Sequence, residues 1–374
     1  MAPGAALHVL HVVPTLRPGG MELALARVVN GLLSRGVTHS IIVLKGEALI
    51  RDRIDAAVRV HCVHAGAHDP LVALRLRHLI LSEAPSVIHA RNLGAWPEIA
   101  AARLMAYPLV PLVFSFHGVA EARPVPARWR LLCRILSRLT SEVFTVSEGS
   151  KRFLVEHVGL REQDVAVIPN GVDTRRFAPT QRAHTTNELL VGTVGSLTPV
   201  KNQALLIRAC ARVIQQGLAL RLDIVGEGRE RPALEGLVRS LGMTGRVRLL
   251  GHIDDIPAFL NSLDLFVLPS DSEAHPNALS EAMACGLACI ASRVGGVAEI
   301  ADQGRAALLF ERGDESALTG SIADLVANPE RRRALGRAAV EVTRARYSLD
   351  DMLSRYMETY QRIADGMCVS EARG

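Results

Sequence analysis

Short, continuous apolar runs alternate along this chain with longer segments whose apolar positions recur at helical spacing. Leu7–Val13 is the first such run; Pro14–Gly20 then reads as a loop and Met21–Leu33 as a helix. Further runs predict strands at Ser40–Leu44, Val58–Val63, Val87–Ala90, Leu112–Ser115, Val143–Val146 and Val165–Ile168, with helical patterns such as Leu71–Leu81 between them. Pro179–Asn187 is polar and without period, so it reads as a linker. After it the alternation starts again, with predicted strands at Leu189–Val194, Leu220–Val225, Val247–Leu250, Leu265–Leu268, Ala288–Ala291 and Ala307–Phe310. Repeated strand-helix order implies an α/β protein with two parallel, doubly wound sheets, which bind ligands at the carboxyl ends of their strands. The expected boundaries are residues 1–178 and 188–345, then a helix over 346–363 and a loose tail.

Several polar motifs fall just past predicted strand ends. The most telling runs from Asp264 to Gly296, where Ser270-Asp-Ser-Glu273-Ala-His275-Pro276-Asn277-Ala-Leu-Ser-Glu281 carries two glutamates eight residues apart. Proline disfavours helix in the residue before it and is tolerated at the first helical position, so Glu273 is expected on the loop and Glu281 inside the helix. Between them the first helical turn offers backbone N–H groups and the positive end of a dipole, a place for phosphate flanked by acceptors for hydroxyls. Gly19-Gly20 stands at a helix start, where backbone can approach a ligand closely. His117-Gly118 follows the run Phe114-Ser-Phe. Gly195-Ser196-Leu-Thr-Pro-Val-Lys201-Asn202 follows the first strand of the second half. The chain has only three lysines (45, 151, 201) against forty arginines, so a lysine here is not a product of composition; a compact ammonium suits a pyrophosphate. Gly226-Glu-Gly228, Gly251-His252-Ile253 and Gly295-Gly296 also follow strand ends, where ordinary turns would account for any one of them alone.

The Glu-x7-Glu pattern running into Ala-Met-Ala-Cys-Gly286, with Pro169-Asn-Gly-Val-Asp-Thr-Arg-Arg-Phe177, resembles the retaining glycosyltransferases of glycosyltransferase family 4. The resemblance spans Gly19 to Tyr360. It implies the GT-B architecture, two Rossmann-like parallel-sheet domains facing a central cleft, with the C-terminal helix crossing back to the first. It also implies a donor site for a nucleoside diphosphate sugar, most commonly UDP-linked, and a glycan or lipid-linked acceptor. In that scheme Glu281 receives the ribose hydroxyls, and Lys201 with the backbone amides after Glu273, in the stretch that carries Pro276 and Asn277, holds the diphosphate. Glu273 holds the sugar, His275 lines the same stretch, and His252-Ile253 offers backbone to the base. His117 and the Gly19-Gly20 loop reach the donor from the first domain. The implied catalytic set is His117, Lys201 and Glu273. The chain departs from the family at Ser196, where an arginine for the diphosphate is expected; Arg229 and Arg231, just past Gly228, are the nearest replacements. No Asp-x-Asp occurs, so no metal and no other cofactor is expected.

Composition sharpens this. Aromatics are 4%, which fits aliphatic cores under helices. The six cysteines form no Cys-x-x-Cys pair and mostly lie in apolar runs, which points to reduced thiols and a cytoplasmic protein. No signal peptide or membrane span is expected. Up to Thr180 there are 21 basic and 14 acidic residues (+7), leaving 22 against 24 (−2), so the first half should meet an anionic partner. Nucleic acid is excluded by the absence of zinc spacing or aromatic-basic interleaving. From Arg123 to Leu139 there are five arginines and no acid, with Leu131, Leu132, Ile135, Leu136 and Leu139 at helical spacing. Such a helix is either an ordinary surface helix or one that rests on anionic lipid, through Arg128, Arg130, Arg134 and Arg138, at the inner face of the membrane. A dehydrogenase lacks its glycine fingerprint here. A nucleotide-sugar epimerase and a non-catalytic nucleotide-sugar binder remain as alternatives.

Overall fold

The computed structural model describes residues 7–66, 69, 71–118, 125–180 and 188–371; Arg123 and positions 181–187 of the expected linker lie outside them. The chain divides into two units, one formed by Met1–Asn170 with Asp350–Gly374 and the other by Gly171–Leu349.

In unit 1 the strands are β1 (His8–Val13), β2 (Thr38–Val43), β3 (Arg59–Cys62), β4 (Val87–Arg91), β5 (Leu112–Phe116), β6 (Glu142–Thr145) and β7 (Val165–Val167). The helices between them are α1 (Gly20–Leu33), α2 (Val72–Glu83), α3 (Trp96–Leu104), α4 (Ala127–Arg138) and α5 (Glu148–Phe153). Unit 2 carries β8 (Leu189–Val194), β9 (Leu220–Val225), β10 (Val247–Gly251), β11 (Leu265–Leu268), β12 (Ala288–Ser292) and β13 (Leu308–Phe310). Its helices are α6 (Gln203–Gln215), α7 (Arg231–Ser240), α8 (Ile256–Ser262), α9 (Asn277–Ala284), α10 (Val297–Ile300), α11 (Glu315–Ala327) and α12 (Pro329–Arg346), and α13 (Leu349–Glu371) ends the described chain.

Both sheets are parallel. Their orders, β3-β2-β1-β4-β5-β6-β7 and β10-β9-β8-β11-β12-β13, reverse direction between β1 and β4 and between β8 and β11. Ligands of open α/β sheets bind outside the strand ends at such a reversal. That rule selects the segments after β1 and β4 in one unit, and after β8 and β11 in the other. Central strands buried along their whole length, such as β4, β5, β11 and β12, are why apolar runs rather than alternation marked them in the sequence.

Three boundaries differ from expectation. The division falls after Asn170 rather than at 178, because Val172 bridges to Ser348 and Phe177 is buried among residues of unit 2 such as Phe259 and Leu260. The last helix begins at Leu349 and runs on to Glu371 through what read as a loose tail. Pro276 caps α9 with extended backbone (φ −75°, ψ 104°) instead of starting it, leaving Glu273 on the loop and Glu281 in the helix as expected.

Candidate functional site

In unit 2 the segment after β11 meets the segment after β8. Glu273 is 7% exposed, and its Oε1 accepts from Lys201 Nζ at 2.6 Å and from Ser270 Oγ at 2.7 Å. Backbone geometry fixes both partners. Asn202, in the left-handed region at φ 47°, caps α6 by accepting from Leu205 N and donates from Nδ2 to Asp271 at 3.1 Å. Asp271 N in turn donates to Val200 O at 2.7 Å. On the other side Gly295 (φ +49°) lies so close to Glu273 that a Cβ would stand 1.6 Å from its carbonyl oxygen, so only glycine fits. Gly226 (φ +137°) does the same between the loops after β8 and β9, where a Cβ would stand 1.9 Å from Gly195 O.

Beyond Glu273 the chain passes His275 and Pro276 into α9, on which Glu281 is buried. His275 is buried edge-on against Tyr347 (centroids 5.6 Å), and neither ring nitrogen has a hydrogen bond among the described residues. Burial pushes its pKa down to about 4, so it is neutral at pH 7. Ser196 is tied in through its carbonyl, which accepts from Gln203 Nε2 at 3.0 Å. His252 is exposed and stands 3.4 Å from Asp254; with Ile253 it follows β10, which β9 separates from β8. The arrangement is a lysine and a buried carboxylate in contact, next to a helix N-terminus. It can hold an anion and accept hydroxyl groups.

The replacement expected from Arg231 does not hold. Its guanidinium is committed to Glu227 (2.8 Å), Glu235 (3.1 Å) and Leu249 O, all on its own side of the sheet. Among the described residues Arg229 has only Glu230 within reach, at 4.0 Å, so it stays available as a replacement.

In unit 1, Gly19 caps α1, which begins at Gly20, and Gly19 O receives Leu23 N at 3.0 Å. His117 follows β5, and its N–H donates to Asn92 Oδ1 at 2.8 Å. Sequence reasoning missed what lies behind that histidine: Ser115, His89 and Arg91, all buried, with Tyr360 and Tyr356 of α13. The readable signal was a histidine inside each of two apolar runs, Leu10-His11-Val12 and Ile88-His89-Ala90; the strands place these two directly opposite each other.

The apolar face predicted for α4 is split. Leu136 and Cys133 are buried and Leu132 packs beside them, whereas Leu131 and Ile135 are exposed at 60% and 47%. Arg128 and Arg138 are exposed on the same side as these two, and Arg134 donates to Gly159 O at 3.0 Å. Cys62, read with the buried thiols, is exposed; Cys133, Cys210, Cys285 and Cys289 are buried. Among the described residues no helix is long and apolar enough to cross a membrane.

Two Rossmann-type parallel sheets, with a charged pair at the switch point of the second, place a candidate ligand site at the strand ends of each doubly wound unit. The comparisons agree. The family model for Glycosyltransferase Family 4 matches residues 18–176, and that for Glycosyl transferases group 1 matches residues 174–342. Among curated relatives, the lipopolysaccharide core biosynthesis glycosyltransferase LpsE of Rhizobium meliloti is 27% identical over 91% of this chain and 96% of its own length. The UDP-Gal:alpha-D-GlcNAc-diphosphoundecaprenol alpha-1,3-galactosyltransferase of Escherichia coli is 30% identical over 60% of this chain and 62% of its own. Among solved structures, Anabaena HepE in complex with UDP superposes with a TM-score of 0.82 over 95% of this chain and all of that one, at 23% identity. The chain belongs to the group 1 glycosyltransferases of the family 4 type, with the GT-B fold, and is a glycosyltransferase.

Proposed function

We propose that this glycosyltransferase is a retaining enzyme. It takes a sugar from a nucleoside diphosphate donor, UDP-linked, and passes it to a glycan or lipid-linked acceptor in cell-surface polysaccharide or glycolipid synthesis. The observation that carries the reading is the Lys201–Glu273–Ser270 contact at the switch point of unit 2, beside the N-terminus of α9. Lys201 and that helix end neutralise the diphosphate, Glu273 receives sugar hydroxyls and Glu281 those of the ribose. From unit 1 the reading assigns His117 and the Gly19–Gly20 loop to the sugar. As the bond from the anomeric carbon to the β-phosphate breaks, negative charge grows on the leaving group, so donors preorganised there stabilise the transition state most. The departing phosphate oxygen takes the acceptor's proton, and the new bond forms on the same face. The reading is supported by the activities of the two curated relatives and by UDP in the HepE structure. A screen of nucleoside diphosphate sugars with lipid-linked acceptors, scoring released diphosphate and the product's anomeric configuration by NMR, tests it. Inversion, or release with no transfer to any acceptor, would count against it.

Transfer is expected to need no divalent metal, since Lys201 and the start of α9 can take the cation's place. Rates in EDTA should match those in buffer. Loss in EDTA that magnesium or manganese restores would contradict this.

Peripheral binding at the inner membrane face is part of the same proposal, and α4 supports it: Leu131 and Ile135 stand exposed beside Arg128 and Arg138. Each arginine near an anionic surface contributes about 1 kcal/mol, so changing Arg128 and Arg138 to serine should weaken binding to anionic vesicles roughly 30-fold. Arg134 is left in place because it holds Gly159. Equal co-sedimentation of wild type and variant would return α4 to an ordinary surface helix.

A further inference from the structure

His117 is one end of a chain of hydrogen bonds that begins on the C-terminal helix. Tyr360 Oη lies 2.6 Å from His89 Nδ1, and His89 Nε2 lies 2.8 Å from Ser115 Oγ. Ser115 Oγ lies 2.8 Å from His117 Nε2, which is also 3.3 Å from Arg91 Nη1. Tyr360, His89, Ser115 and Arg91 are all completely buried.

One member of the chain sets the direction of every bond in it. A guanidinium donates and never accepts, so His117 Nε2 facing Arg91 must offer its lone pair. The serine proton then points to His117, since Nε2 has none to give. A serine hydroxyl has only that one proton, so Ser115 Oγ accepts from His89 Nε2–H. The remaining nitrogen of a neutral His89 accepts from the Tyr360 hydroxyl. Burial keeps His89 neutral by holding its pKa well below the ordinary imidazole value, and burial raises that of Tyr360, so it keeps its proton. Among the described residues Arg91 has no carboxylate partner. Its guanidinium carbon stands 5.5 Å from the centroid of the Tyr356 ring, so α13 supports both ends of the network.

We infer that Arg91, Ser115, His89 and Tyr360 are positioning residues that hold His117 as the neutral tautomer with its proton on Nδ1 and its ring in one orientation. The last helix of the chain thereby sets the donor capacity of a side chain at the end of β5. A ring so fixed can give a hydrogen bond from Nδ1 but cannot act as an acid or base through Nε2. The inference rests on the proposed function only where it bears on transfer, since the tautomer is a property of unit 1 alone.

The test reads the tautomer first. In protein labelled with 15N-histidine, His117 is assigned by comparison with a His117→Gln variant, and two-bond couplings separate Nδ1–H from Nε2–H rings. Wild type should show Nδ1–H. Arg91→Met should give a mixture of tautomers and Arg91→Lys, whose ammonium also only donates, should return the single form; Ser115→Ala should keep Nδ1–H, since Arg91 still faces Nε2, and Tyr360→Phe should loosen His89 first. If His117 touches the donor sugar, Arg91→Met should lower kcat on the order of 10-fold with little change in donor KM, and Arg91→Lys should recover it. Equal melting temperatures separate this from a folding defect. An Nε2–H ring in wild type would overturn the inference, as would an unchanged tautomer in Arg91→Met. A tautomer that loosens while kcat stays constant would uphold the network and remove His117 from the reaction instead.

Discussion

Lys201→Ala should lower sugar transfer by at least about 100-fold, through two effects. A charge-assisted hydrogen bond to the diphosphate contributes about 1.5–3 kcal/mol, roughly 10- to 100-fold. The same change leaves Glu273, 7% exposed, with Ser270 Oγ as its one side-chain partner among the described residues, where the phosphates are expected to bind. A buried carboxylate stripped of its cation repels the donor as well as losing its own stabilisation. Arg231 cannot substitute, being held by Glu227 and Glu235, and Ser196 stands where related enzymes are expected to carry an arginine. Ser196→Arg should therefore leave the enzyme active and tighten diphosphate binding by about 10-fold. Glu273→Gln in the Lys201→Ala background separates the two effects, recovering only the part due to the stranded carboxylate. Steady-state rates for the three variants decide the matter, and near-normal transfer by Lys201→Ala would place the diphosphate elsewhere.

The second large effect is acid lability of unit 1. His11, His39 and His89 are buried on β1, β2 and β4, beside His8, Arg91, His117 and Tyr360. Burial holds all three below the unfolded value near 6.5, His39 at about 3 and the others well below it. Above pH 6.5 neither state binds these protons, so the stability they allow is fully present. Below it the unfolded chain takes them up and the folded one does not, so stability falls until the folded values are reached. Each histidine contributes about 1.4 kcal/mol per pH unit, so three contribute about 4 kcal/mol per unit. Against a total of about 5–15 kcal/mol, that should unfold unit 1 near pH 5. In unit 2 His275, at about 4, behaves in the same way. Both tryptophans, Trp96 and Trp129, lie in unit 1, so urea titrations followed by fluorescence from pH 7 to 5 report it alone. A flat stability over that range would show that these rings are protonated or wet in the folded state.

Much of the fold could be read because its determinants are local. Leu189–Val194, Leu220–Val225 and Leu265–Leu268 form strands over the predicted ranges, since buried parallel strands are continuous apolar runs bounded by polar turns. Pro276 separated Glu273 from Glu281 through a backbone restriction that acts on its immediate neighbours. What escaped is set by partners distant in sequence. Val172 belongs to unit 2 because of Ser348, and His89 is tied to Tyr360 on the last helix, 271 residues on. The period of α4 marked its apolar positions but not which of them the sheet would cover, so Leu131 and Ile135 read the same as Leu136. Arg231 is the exception: its partners Glu227 and Glu235 lie four residues to either side, a local spacing that the sequence displays.

The central claim is that a nucleoside diphosphate is held by Lys201 and Glu281 around the start of α9. Calorimetric titration of UDP into wild type, Lys201→Ala and Glu281→Ala tests it most directly. One site per chain is expected in wild type, weakened at least about 10-fold in each variant. Binding of UDP to both variants as tightly as to wild type would contradict the claim.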